Sequence, residues 1–133
     1  MPKPVRIAVA VLAGLFVWTV VATLGNLALR ATIPDYRTQE LTMAYSLLAQ
    51  FARLGLGLFS TVAATLAAVV LSRGSMGAAL ATGLVLLVLF VPVHVSLWAK
   101  FPVWYHLFFL ASLPLGAWAT GKLAAPKWGA AWR

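Results

Sequence analysis

The sequence predicts an all-α integral membrane protein, a four-transmembrane-helix antiparallel bundle. Of 133 residues, 63% are hydrophobic and 9% charged, against about 45–50% and about 25% in a soluble domain. The mean hydropathy is +0.97. The apolar residues fall in four long runs with short polar breaks, and a small fold has too much surface for its volume to hide them all from water. Lipid is the expected solvent and the bilayer the expected partner, with the chain forming a single transmembrane domain over residues 1–133.

The first run, Ile7 to Leu29, follows Lys3 and Arg6 and carries no charge. It is longer than the about 7–15 apolar residues of a signal peptide, so a retained transmembrane helix is expected. Residues 30–40 form an outer hydrophilic loop that holds both acids, Asp35 and Glu40, with Pro34 and Asp35 as a turn signal. The second run, 41–72, contains one charge, Arg53. At ~1.5 Å per residue it exceeds the ~30 Å hydrocarbon core, so its start is expected to protrude or lie in the interface. That places Arg53 near the outer boundary, as an anion anchor or as a snorkelling residue paired with Glu40 or Asp35. The third run, 77–99, contains Pro92, and the fourth, 101–121, contains Pro114; helices in lipid tolerate such prolines. The tail, 122–133, mixes Lys122, Lys127 and Arg133 with Trp128 and Trp132, a composition suited to the headgroup layer.

Orientation follows from the basic residues. With the N-terminus inside, Lys3, Arg6, Arg73, Lys122, Lys127 and Arg133 are cytoplasmic, against Arg30, Arg37 and Lys100 outside. The positive-inside rule therefore predicts both termini in the cytoplasm. Small size and minimal loops suggest a bacterial inner membrane. The net charge of +8 is spread singly along the chain rather than clustered, so nucleic acid is not an expected partner.

Helices in lipid associate through small residues and buried polar contacts, because lipid tails are as apolar as leucine. Gly57, Thr61, Ala64 and Ala68 share one face of the second helix. Ser112, Gly116 and Thr120 recur at four-residue spacing on the fourth and form a groove expected to pack on a neighbouring helix, in this chain, in a homo-oligomer or in a larger membrane complex.

Intramembrane polar groups are functional candidates by default. Arg53, Gln50, Asn26, Tyr105, His94 and His106 are expected in the outer half, around a ligand-binding cavity. His94 lies six residues before Lys100 and His106 six after it, so a tight hairpin sets both rings at similar depth. Axial ligation of haem or a quinone contact is one reading of the pair; no metal site is expected, since no carboxylate lies on the same helices. No carboxylate pair, nucleophilic triad, phosphate loop or HExxH motif is present, and the absence of cysteine excludes thiol chemistry. A non-enzymatic structural or accessory bundle is therefore expected. The alternative is binding or transport of an anionic or lipid-like small molecule around Arg53.

Overall fold

The computed structural model describes residues 1–133 and is all-helical. Its helices are α1 (Lys3–Thr32), α2 (Tyr36–Thr42), α3 (Leu47–Leu71), α4 (Met76–Ser96) and α5 (Val103–Ala131), with a 3-10 turn at Trp98–Lys100. Four of them, α1, α3, α4 and α5, are long and apolar enough to cross a membrane.

The breaks have local causes. Helix α1 ends where Ile33 turns extended (φ −93°, ψ 120°), as a residue before proline must. Asp35 and Met43, at φ 61° and 55°, are left-handed and bracket the short α2. At its end the Ala44 N–H returns to the Gln39 carbonyl at 3.2 Å, a wrapped helix end. Ser46 then caps α3, accepting from the Ala49 N–H at 3.2 Å, and the Ser46 N–H donates to Gln39 Oε1 at 3.0 Å. The run 41–72, expected as one helix, is thus two elements joined by this turn. Helix α4 stops at Ser96, short of the expected Ala99, because Phe101 is extended before Pro102 (φ −130°, ψ 155°).

The tail 122–133 is helical as far as Ala131. Helix α5 continues through Pro126 to Ala131, since Ala124 and Ala125 pack with Val69 and Ala79. Gly74 (φ 84°) makes this possible, because a Cβ there would strike the Gly129 backbone and the Ala125 carbonyl.

Close approach is set by small residues. A Cβ added at Gly14 would lie 2.8 Å from the Ala64 carbonyl oxygen, and one at Gly83 would lie 2.6 Å from Ala117 Cβ. Gly121 abuts Ala79, Gly57 abuts Phe109, and Gly25 abuts Leu56. The hydroxyls of Thr61, Thr65, Thr82 and Thr120 donate to carbonyls one turn back at 2.7–2.9 Å, so these polar groups are satisfied within their own helices. The face Gly57, Thr61, Ala64 and Ala68 is buried. On α5 the buried stripe is instead Phe109, Leu113, Ala117, Thr120 and Gly121. Ser112 and Gly116 flank it, half-buried, with Gly116 turned to Leu58 and Thr61 of α3.

One end of the bundle is closed by alanines, with Ala10, Ala68 and Ala78 fully buried together. At the other end Leu54, Leu86, Phe101, Tyr105, Phe109 and Leu113 cluster. Large rings pack less closely than alanines, and a cavity of about 480 Å³ opens beside them.

Candidate functional site

The cavity has an apolar floor and a polar rim. Trp18, Leu56, Phe90 and Phe109 form the floor, while Asn26, Arg30, Glu40, Tyr45, Arg53 and Tyr105 line the rim. At the base, Trp18 Nε1 donates to Thr61 Oγ1 at 3.1 Å, and the Trp18 and Phe90 rings stand 4.8 Å apart.

A chain of polar contacts crosses the rim. Arg30 Nε donates to Glu40 Oε1 at 2.6 Å, and its Nη2 donates to Oε2 at 3.1 Å. Asn26 Nδ2 also donates to Glu40 Oε2, at 3.2 Å. The Tyr36 hydroxyl donates to Asn26 Oδ1 at 2.7 Å and accepts from Arg53 Nη1 at 2.9 Å. Arg53 Nε donates to the Tyr105 hydroxyl at 3.3 Å, and the Tyr45 ring covers the guanidinium with 4.5 Å from Cζ to centroid. Helix α2 positions Tyr36 because the two left-handed residues fold the connection back over the bundle end. Tyr36 is only 1% exposed.

Electrostatically the two arginines differ. Arg30 is spent on Glu40, whose carboxyl it holds below the usual carboxylate range through their hydrogen bond. The alternative that Arg53 pairs with Glu40 or Asp35 is overturned: the Arg30–Glu40 contact is the only ion pair. Arg53 is bonded to neutral hydroxyls and an aromatic face, and its Nη2 has no protein acceptor. A charge in a low-dielectric place is costly unless it is matched, so Arg53 presents an unmatched cation to the cavity. Burial pushes the phenol of Tyr45 upward, so it too stays neutral.

Of the residues singled out in the sequence, Asn26, Arg53 and Tyr105 meet at the cavity. Gln50 does not reach it: its Nε2 donates to the Tyr45 carbonyl at 3.2 Å, and its Oε1 is buried without a partner. It supports the Tyr45 backbone. His94 and His106 lie together behind the cavity wall, His94 packing on Phe90, Tyr105 and Phe109. Their Nδ1 atoms are 2.7 Å apart, and His106 Nε2 is 3.1 Å from the Trp98 carbonyl. A carbonyl only accepts, so Nε2 of His106 carries a proton and donates. In the neutral pair His106 Nδ1 must then accept from the Nδ1–H of His94. Rings engaged in this way leave no gap for an iron between them, and no third His, Asp or Glu joins them.

Tyr36, Tyr45, Trp18 and Phe90 were not singled out. Tyr36 lies within the hydrophilic stretch 30–40 and Tyr45 just beyond it, and their inward placement depends on the left-handed residues Asp35 and Met43. No protein-family model, curated protein or solved structure matches the chain.

Proposed function

We propose that the chain is an up-down-up-down antiparallel bundle in a bacterial-type inner membrane that binds a small amphiphilic anion. In this reading both termini are cytoplasmic and the cavity opens in the outer half, with Arg53 as counter-ion. The observation that carries it is the Arg53 guanidinium, bonded to no acid, above an aromatic and apolar floor in a cavity whose one carboxylate, Glu40, is taken by Arg30. An anionic head would take the free Nη2 and the Tyr105 hydroxyl, while a short alkyl or ring portion would lie against Trp18, Phe90 and Phe109.

Membrane insertion is supported by the exposed belt of Leu12, Phe16, Leu24, Val88, Leu107 and Leu115, since soluble proteins rarely expose so much contiguous apolar surface. The helix directions are supported by the pairings Gly14–Ala64 with Gly25–Leu56, and Gly83–Ala117 with Gly121–Ala79, in which the residue numbers run oppositely. Short connections then leave little choice of neighbour.

The test uses protein in nanodiscs of zwitterionic lipid, titrated with decane-1-sulfonate and with decyltrimethylammonium. The sulfonate is expected to bind saturably and change the Trp18 fluorescence identified by the Trp18→Phe control, with binding weakened at least about tenfold in Arg53→Gln, as for loss of a charged hydrogen bond. Equal binding of the two amphiphiles, or binding indifferent to Arg53→Gln, contradicts the reading. Adding phosphatidylglycerol to the disc separates two sources of the anion: a lipid headgroup competes with the sulfonate, and its failure to compete points to a soluble organic anion.

A further inference from the structure

The imidazole pair is buried, lies on the back of three cavity-lining rings, and takes no part in the anion contacts. His106 is fully buried and His94 is 6% exposed. The hydrogen-bond chain assigns three of the four ring nitrogens: His94 Nδ1 donates, His106 Nδ1 accepts, and His106 Nε2 donates to Trp98. His94 Nε2 alone has no partner among the protein's hydrogen bonds. One proton taken from water onto His94 Nε2 leaves every existing bond in place and makes the Nδ1–H···Nδ1 bond charge-assisted, which strengthens it. A second proton would have to go to His106 Nδ1 and would set two N–H groups face to face at 2.7 Å. The pair is therefore built to hold one proton and no more.

We propose that His94–His106 is a proton-binding site and that a proton there and an anion at Arg53 strengthen each other's binding. This rests on the anion-binding reading. The groups facing the pair are Tyr105 and Phe109 from α5, Phe90 from α4, Trp98 and Phe101 from the connecting turn, and Arg53 from α3, reached through Tyr105. Both acids lie at residues 35 and 40, and Glu40 is held by Arg30. The only charge bonded into this wall is thus the Arg53 cation, which opposes a second positive charge on His94. An anion seated against Arg53 removes that opposition. By reciprocity the proton must then tighten anion binding by the same factor. Two unit charges about 10 Å apart at an effective dielectric near 20 give a coupling of about tenfold or somewhat more.

The experiment is calorimetric titration of the wild-type protein in zwitterionic nanodiscs with decane-1-sulfonate, which stays ionised throughout, between pH 4 and 8. Buffers of different ionisation enthalpy count the protons taken up. The expected result is proton uptake that peaks at about half a proton per sulfonate bound, midway between the pKa values of the free and the occupied pair, with binding about tenfold tighter at the acid end. In His94→Gln both the uptake and the pH dependence are expected to vanish while sulfonate binding persists. Histidine ¹⁵N spectra of the ligand-free wild type give a second readout: an Nδ1–Nδ1 coupling across the hydrogen bond that survives the first protonation. Saturable sulfonate binding with no proton uptake overturns the coupling and spares the anion site. Independent titration of two unlinked histidines overturns the proton site itself. Absence of any sulfonate binding overturns the anion site and the coupling with it.

Discussion

Arg53 donates from Nη1 to the Tyr36 hydroxyl at 2.9 Å, so the charge of α3 is held by the connecting helix α2 and not by an acid. The same hydroxyl donates to Asn26 of α1, which makes Tyr36 the joint between three elements. Removing it leaves a guanidinium N–H and a half-buried amide oxygen without partners. Tyr36→Phe is expected to destabilise the bundle by about 1–3 kcal/mol, read as thermal unfolding in nanodiscs. Tyr45→Phe is the control: its hydroxyl makes no hydrogen bond and its ring, which covers Arg53, is retained. A change within about 0.5 kcal/mol is expected there, and equal effects of the two substitutions would contradict the assignment.

Helix α2 is fastened through Glu40. Arg30 lowers the Glu40 carboxyl pKa, so the folded state prefers the carboxylate more than the unfolded chain does. The resulting stabilisation is full above the ordinary carboxylate value of about 4.3 and is lost as pH falls through the lowered folded value. The chain has no cysteine, so a nitroxide on Arg37→Cys, at an exposed position of α2, reports cleanly. Its motion is expected to be restricted at pH 6, to loosen below about pH 4, and to be loose at every pH when Glu40→Gln is added. A label equally restricted throughout would show that the ion pair does not hold α2.

Two glycines separate packing from propensity. At Gly83 an added methyl would lie 2.6 Å from Ala117 Cβ and 3.1 Å from the Leu113 carbonyl oxygen, so helix α5 would have to shift. Gly83→Ala is expected to cost about 1–3 kcal/mol. At Gly55 an added methyl meets nothing within 4 Å, and Gly55→Ala is expected to be neutral or stabilising by up to about 1 kcal/mol. Unfolding midpoints of the two variants, measured side by side, check this; the reverse order would contradict the packing described for α4 and α5.

The four apolar runs can be read as helices because hydropathy alone marks them, and the prolines at 92 and 114 do not interrupt them. The break between α2 and α3 could not be read that way. Leu41 to Ala49 is nearly as apolar as the body of α3, and the interruption rests on the backbone of Met43 and the Ser46 cap. The end of α5 was also obscured. Its lysines and tryptophans suggest a headgroup-layer segment, and they do not reveal that Ala124 and Ala125 hold it against the turn between α3 and α4. Within the site, Asn26, Arg53 and Tyr105 stand out as polar groups in apolar runs. Tyr36 and Tyr45 do not, since their inward course is set by the left-handed backbone at Asp35 and Met43, which hydropathy does not mark. The symmetric placement of His94 and His106 about Lys100 gives their shared depth; their mutual hydrogen bond depends on ring orientation, which spacing does not encode.

The central claim is that an amphiphilic anion lies with its head at Arg53 and its tail on the aromatic floor. Crystals of the protein grown with 10-iododecane-1-sulfonate test it through the anomalous signal of iodine. A peak is expected inside the bundle, near Trp18 and Phe90, with the sulfonate against Arg53 and Tyr105. Iodine found only on the outer groove formed by Phe51, Leu58 and Trp104, with the Arg53 cavity empty of ligand, would contradict it.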